Sequence, residues 1–228
     1  MSRELLFRFL FFCLFFWETV LPAMAGGLPA AGLYTYIERT GDRKIEFYWK
    51  AVVKNDQVLV HVFEKGKSFF NICKSDGATL KWKIKNRKRH DINAERKGDN
   101  LYISGIRNGK PYEKTVTIDS RPWFQPLSFS LGNFLDSSQT KITFWTIRAD
   151  TIETIALQAV KMGGETITVC NRPMDSWKIE VRPAGILSPF WHGSYWFRKE
   201  DNLFLRYRSV HGLPGTEETV VELIKEPD

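Results

Sequence analysis

The run Lys81-Trp82-Lys83-Ile84-Lys85-Asn86-Arg87-Lys88-Arg89 concentrates cationic chemistry in one stretch. In an extended chain the two-residue period puts Lys81, Lys83, Lys85, Arg87 and Arg89 on one face and Trp82 and Ile84 on the other. Adjacent cations attract a polyanion together, so one reading is a contact surface for phosphate or carboxylate groups on lipid, lipopolysaccharide or anionic glycan. The other reading is a solvent-facing or edge strand whose lysines discourage sheet-to-sheet aggregation. The alternation fits both.

Aromatic side chains are the second candidate chemistry. They make up 14% of the chain, with 8 Trp. Five fall within Pro189-Phe190-Trp191-His192-Gly193-Ser194-Tyr195-Trp196-Phe197-Arg198. In a strand starting near Gly193, Tyr195 and Phe197 share one face while Ser194, Trp196 and Arg198 share the other. Trp191, Tyr195, Trp196 and Phe197 are therefore candidate binding residues, lining a concave apolar face that takes an acyl chain. A filled barrel interior would use the same rings for packing alone.

Catalytic motifs are largely missing. His61, His90, His192 and His211 are the histidines, and none is spaced as in a metal-binding helix. No nucleophile elbow, phosphate-binding loop or dinucleotide fingerprint occurs, so the sequence calls for no cofactor and no metal. Cys73 and Cys170 are too far apart in sequence for a CxxC redox motif. Paired carboxylates such as Asp150 with Glu153 read as solvated charge. A hydrolase or transferase of envelope polymers would need an unrecognised site near His192 or His211.

The first 25 residues supply an address. Arg3 and Arg8 give positive charge, Phe9–Trp17 is an uninterrupted apolar run, and Ala23-Met24-Ala25 suits signal-peptidase cleavage. The run ends at Glu18 and is far below the roughly 20 residues needed to span a bilayer. Cys13 lies inside the apolar run behind Phe11 and Phe12, which argues against a lipoprotein. Residues 1–25 thus read as a cleaved signal peptide, and 26–228 as one exported domain, in the periplasm of a Gram-negative bacterium. The signal segment is electrically neutral, so the mature part keeps the net charge of +7. Export removes nucleic acid as the partner of that charge and points to anionic envelope components. It also brings Cys73 and Cys170 into an oxidising compartment where they can form a disulfide.

Short runs of alternating β-branched or aromatic and polar residues fill most of the mature chain. They include 33–38, 44–53, 58–63, 79–85, 101–106, 112–118, 141–147, 154–161, 165–169, 177–182, 194–198, 203–207 and 218–224. Asn55-Asp56 and Asn108-Gly109 suit tight hairpins. Gly163-Gly164 reads as a turn, as does Leu213-Pro214-Gly215-Thr216. Over Gln125–Ser137, by contrast, Leu127, Leu131, Phe134 and Leu135 share one face of a helix, with Pro126 in its first turn. The fold class is mainly β: an antiparallel sheet curled into an open barrel or sandwich, with one short amphipathic helix packed on it.

Three words occur in order: Tyr34-Thr35-Tyr36, then Trp123-Phe124-Gln125-Pro126-Leu127-Ser128-Phe129-Ser130-Leu131, then Tyr195-Trp196-Phe197-Arg198-Lys199-Glu200-Asp201 with Leu205-Arg206-Tyr207. This order resembles the exported bacterial proteins of unknown function grouped as DUF3108-like. The resemblance implies an exported β-rich protein and brings no catalytic residues with it. The expectation is a non-enzymatic periplasmic protein that binds an amphiphilic or anionic envelope component, lipid or glycan. Its rivals are the envelope-polymer enzyme and a structural assembly partner that docks to another envelope protein through a strand edge.

Overall fold

The computed structural model describes residues 31–86, 90–185, 191–210 and 217–227. The signal segment, Arg87, Arg89, His211 and the Leu213–Thr216 turn lie outside them.

Among the described residues, fourteen strands and one helix follow in chain order. The first eight strands are β1 (Tyr34–Thr40), β2 (Arg43–Lys54), β3 (Gln57–Glu64), β4 (Lys67–Lys74), β5 (Thr79–Asn86), β6 (His90–Lys97), β7 (Asn100–Arg107) and β8 (Lys110–Thr117). Helix α1 (Leu127–Asp136) comes next. Then come β9 (Lys141–Ile147), β10 (Thr154–Val169), β11 (Arg172–Pro183), β12 (Gly193–Arg198), β13 (Phe204–Val210) and β14 (Glu218–Lys225). All pair antiparallel in a single sheet of order β8-β7-β6-β5-β4-β3-β2-β1-β14-β13-β12-β11-β10-β9. Two meanders, β1–β8 and β9–β14, join at the β1–β14 pair, and among the described residues the sheet is not closed, with β8 and β9 as its edges.

Tight turns make this order possible. Asn55 and Asp56 (φ 50° and 59°) and Asn108 and Gly109 (φ 52° and 76°) adopt the left-handed pairs that a two-residue hairpin demands. Gly163-Gly164 corrects the expectation of a turn. β10 runs through them for 16 residues. Its register with β11 slips between Lys161 and Gly163, leaving Met162 as the extra, exposed residue of a bulge. The turn comes instead at Cys170 and Asn171, with φ 51° and 59°.

The curl gives every strand an inner and an outer face. Inner side chains form two packing centres. One joins α1 to β1–β4 and β9–β14 through Tyr36, Trp49, Leu131, Phe134, Phe197 and their neighbours. The other fills the β5–β8 end with Trp82, Ile84, Ile92, Leu101 and Ile103, capped by Ile118, Trp123, Ile147 and Ile152. Each fully buried side chain of this size contributes roughly 1.5–3 kcal/mol.

Helix α1 begins after Pro126, which precedes its first turn, and lies on the concave side. Leu131 and Phe134 are buried as the stripe predicts, while Leu127 and Leu135 are half-buried. Phe129, Ser130 and Gly132 are buried too, so the helix is enclosed beyond a single stripe. Polar ties hold it: Ser130 Oγ donates to Gly77 O (2.7 Å), and Asn202 Nδ2 donates to the Asp136 carboxylate (2.9 Å). Lys161 Nζ donates to Leu135 O (2.9 Å) and Ser137 O (2.5 Å), placing a cation on the negative end of the helix.

Cys73 and Cys170 do not form the disulfide that export would permit; both are free thiols. Cys73 is buried on the inner face of β4 beside Thr79, and Cys170 sits in the β10–β11 turn, donating to Leu223 O (3.4 Å). Burial pushes the Cys73 thiol up to about 12, so it is neutral and unreactive.

Candidate functional site

Two adjoining hollows open between α1 and the concave face. The first, about 330 Å³, is walled by Tyr36, Phe47, Trp49 and Val62 on β1–β3, Phe69, Asn71 and Trp82 on β4–β5, and Tyr195, Phe204, Tyr207 and Val221 on β12–β14. The second, about 760 Å³, lies between β9, β10 and the segment before β12, and includes Ile155, Leu157, Pro183 and Trp191. Gln125, Leu127, Ala149, Tyr195 and Tyr207 line both. Both volumes lie in the roughly 300–1,000 Å³ range of small-molecule sites.

Among the described residues, the smaller hollow has no formally charged residue in its wall. Burial raises the phenol pKa of Tyr36 and of Tyr195 well above the ordinary value, and that of Tyr207 also upward, so these rings stay neutral. Tyr36 Oη donates to Phe204 O (2.7 Å) and Tyr207 Oη to Ser209 Oγ (2.6 Å), which turns their polar ends into the wall. Trp49 Nε1 is likewise spent on Ser128 Oγ of α1 (3.1 Å). Charge enters at the larger hollow, where the exposed pair Arg148 and Asp150 (2.7 Å) marks its way to the surface. Such a space takes an apolar body and offers it ring faces.

Gln125 props the hollow open. Its Nε2 donates to Ile147 O (2.7 Å), and its Oε1 accepts from Ile147 N (2.9 Å) and Trp123 Nε1 (3.0 Å). The side-chain amide thus stands in for one residue of a neighbouring strand on edge strand β9. Backbone bonds continue the stitch: Trp123 pairs with Trp145 of β9, and Thr79 N of β5 donates to Trp123 O (2.7 Å). The β8–α1 link therefore ties both halves of the open sheet and fixes where α1 begins. Asn71 is the contrasting polar group. It is 2% exposed, its Nδ2 makes only a long 3.4 Å bond to Val60 O, and its Oδ1 has no partner among the described residues.

A solved structure shares this architecture. The chain has the fold of a known β-barrel-like protein. That neighbour, from Brucella abortus, belongs to the domain of unknown function DUF1849 and aligns over 89% of this chain and 99% of its own, with TM-score 0.59 and 10% identity. More distant matches are a hypothetical lipoprotein from Escherichia coli (12% identity, 88% and 86% coverage, TM-score 0.38) and a LolA superfamily protein from Nitrosomonas europaea (9% identity, 88% and 87% coverage, TM-score 0.28). No protein-family profile matches the chain, and no curated protein matches it significantly.

The residues singled out from sequence separate into three places. Tyr195 lines both hollows and Trp191 the larger one. Phe197 is fully buried against Phe204 (5.8 Å between centroids), outside either lining. Trp196 points to the opposite side of β12, where its Nε1 donates to Glu165 (2.6 Å) and Lys178 lies over its ring. Lys81, Lys83 and Lys85 project from the outer face of β5, while Trp82 and Ile84 face inward. The cation ladder and the apolar cavity are on opposite sides of the sheet and cannot hold two ends of one small ligand. Two of its members meet carboxylates on β6: Lys81 with Glu95 (3.2 Å) and Lys83 with Asp91 (3.5 Å). His192 is exposed and is not among the described residues that line either hollow.

Sequence reasoning passed over Trp49, Asn71, Gln125 and Tyr207 as wall residues, while the α1 stripe it offered as an apolar wall supplies Leu127. Phe47 and Trp49 carried a signal, since their spacing puts both rings on one strand face. Gln125 carried none, because its role depends on where β9 lies.

Proposed function

We propose that this protein is a non-enzymatic envelope protein that takes the apolar part of a lipid or similar amphiphile into the hollow beneath α1. The observation that carries the reading is the ring-lined space, uncharged among the described residues, in which Tyr36, Tyr207 and Trp49 spend their polar ends on the protein and Asn71 is the ill-satisfied polar group. Burying an acyl chain there removes apolar surface from water at roughly 25 cal/mol per Å². The cost of opening the core is already met by the fold, because Gln125 and the α1 ties hold the walls apart. A polar headgroup would remain near Arg148 and Asp150, where the larger hollow reaches solvent. The signal-like residues 1–25 support a periplasmic setting, where such amphiphiles occur.

Native mass spectrometry of protein purified from periplasm, followed by solvent extraction, tests the proposal. A lipid-sized adduct released by solvent and reduced in the Ala149→Phe variant is the expected result. A bare mass for the wild-type protein, together with no uptake of added phospholipid, would overturn it.

A further inference from the structure

The outer face of β2–β5 is organised in cross-strand rows that the cavity does not use. One row runs Val52, Leu59, Ile72, Lys81. The next runs Lys50, His61, Phe70, Lys83, and the third Tyr48, Phe63, Ser68, Lys85. Read down the strands, the rows make an apolar and aromatic panel on β2–β4 bordered by a column of three lysines on β5, with Lys50 inside the panel. The rings form a contiguous set: Tyr48 with Phe63 (5.3 Å), His61 with Phe63 (4.7 Å) and His61 with Phe70 (6.2 Å). Phe70 is 38% and Val52 47% exposed, unusual for such residues on a strand already backed by a core. Burial and then Lys50 lower the His61 pKa, so its ring joins the panel as a neutral aromatic at neutral pH.

We infer that this panel docks the protein onto an anionic phospholipid bilayer surface. Charge complementarity selects that occupant. Lys81 and Lys83 are about half-exposed, and their carboxylate partners are themselves exposed, so these pairs are weak and exchange readily for lipid phosphates. Lysine stems can lie along the apolar panel while their ammonium groups reach headgroups, and the rings occupy the interfacial layer beneath. A bilayer supplies both layers side by side across a broad face, which is how cations and rings are laid out here. Glu46, held by Tyr48 Oη (2.8 Å), and Asp91 and Glu95 on β6 bound the cationic area on either side. The docking face and the cavity lie on opposite sides of the same strands, so this inference does not rest on the cavity being filled.

Co-sedimentation of the mature protein with vesicles tests it, using phosphatidylglycerol mixed with phosphatidylethanolamine against phosphatidylcholine alone. Binding is expected to the anionic vesicles only and to fall with added salt. A Lys81→Gln, Lys83→Gln, Lys85→Gln triple variant should bind roughly tenfold to a hundredfold more weakly, Phe70→Ser several-fold more weakly, and Met162→Ser, an exposed apolar site on the β10 bulge, like wild type. Thermal melts matching wild type verify that the variants are folded. Equal binding to both vesicle types, no binding to the anionic ones, or full retention by the triple variant would overturn the inference. The last two outcomes would turn the search toward an acidic protein partner. Adduct loss in Ala149→Phe with vesicle binding intact would separate this face from the cavity.

Discussion

The two ends of the concave face use different side chains and reach opposite results. At the β5–β8 end, Ile84, Ile92, Ala94, Leu101 and Ile103 interdigitate with Ile118, Ile147 and Ile152 and leave a filled core. At the end beneath α1, the ring pairs Tyr36–Phe47 and Tyr195–Tyr207, together with Trp49, line a hollow. Branched aliphatics close space because their methyl groups fill it in three dimensions. Rigid rings tied by hydrogen bonds at their rims hold a shape and leave a slot between them. One sheet is thus both scaffold and container: where Trp82 and Trp123 pack among branched aliphatics the space closes, and where the lining is mostly rings it stays open.

Substitutions matched across the two ends sharpen this contrast. Ile103→Ala in the filled end should cost about 4 kcal/mol, whereas Leu127→Ala, half-buried beside existing space, should cost about 1–2 kcal/mol. Urea midpoints with unchanged slopes would measure both. Equal losses would erase the distinction. Gln125→Leu removes the amide that stands in for a strand and leaves Ile147 N–H and C=O unpaired, at about 2–3 kcal/mol. Faster amide exchange at Ile147 should accompany that loss. Enlarging a residue is the complementary test. Ala94→Leu overpacks the filled end and should cost about 2 kcal/mol, while Ala149→Leu at the hollow end should cost under about 1 kcal/mol.

Smaller effects probe the polar groups. Asn71→Leu should stabilise the empty protein by up to about 1 kcal/mol, because an ill-satisfied buried amide is removed. If lipid uptake falls in the same variant, Asn71 is kept for the ligand at the expense of stability. The last effect is on the acid limb. Arg121 and then Trp145 hold the Asp119 carboxyl well below the usual carboxylate range. A lowered folded-state pKa stabilises above the unfolded carboxylate pKa, and that contribution is lost as pH falls through about 4 and below. Asp119→Asn should flatten the decline of the melting temperature between about pH 4 and pH 2.

The sequence announced the curled antiparallel sheet and its single helix because alternation and hairpin turns are local signals. Two strands were not legible. β4 sets Phe69 beside Phe70 and points Asn71 inward, and β6 is largely polar, so neither shows clean alternation. The bulge at Gly163 read as a turn because a positive φ serves either, and only the partner strand decides. Among site residues, the face assignment of Lys81, Lys83 and Lys85 followed from period two alone. What lay behind them did not. That Tyr195 lines a hollow while Phe197 fills a core depends on Gly132 and the path of α1, which couples residues far apart in sequence.

Titration of the delipidated mature protein with a fluorescent long-chain fatty acid tests the central claim most directly. The account predicts one saturable site, a change in tryptophan emission from energy transfer or quenching near Trp49 and Trp82, and loss of that site in Ala149→Phe with the melting temperature preserved. Absence of saturable binding, or equal affinity in wild type and a folded Ala149→Phe, would contradict it.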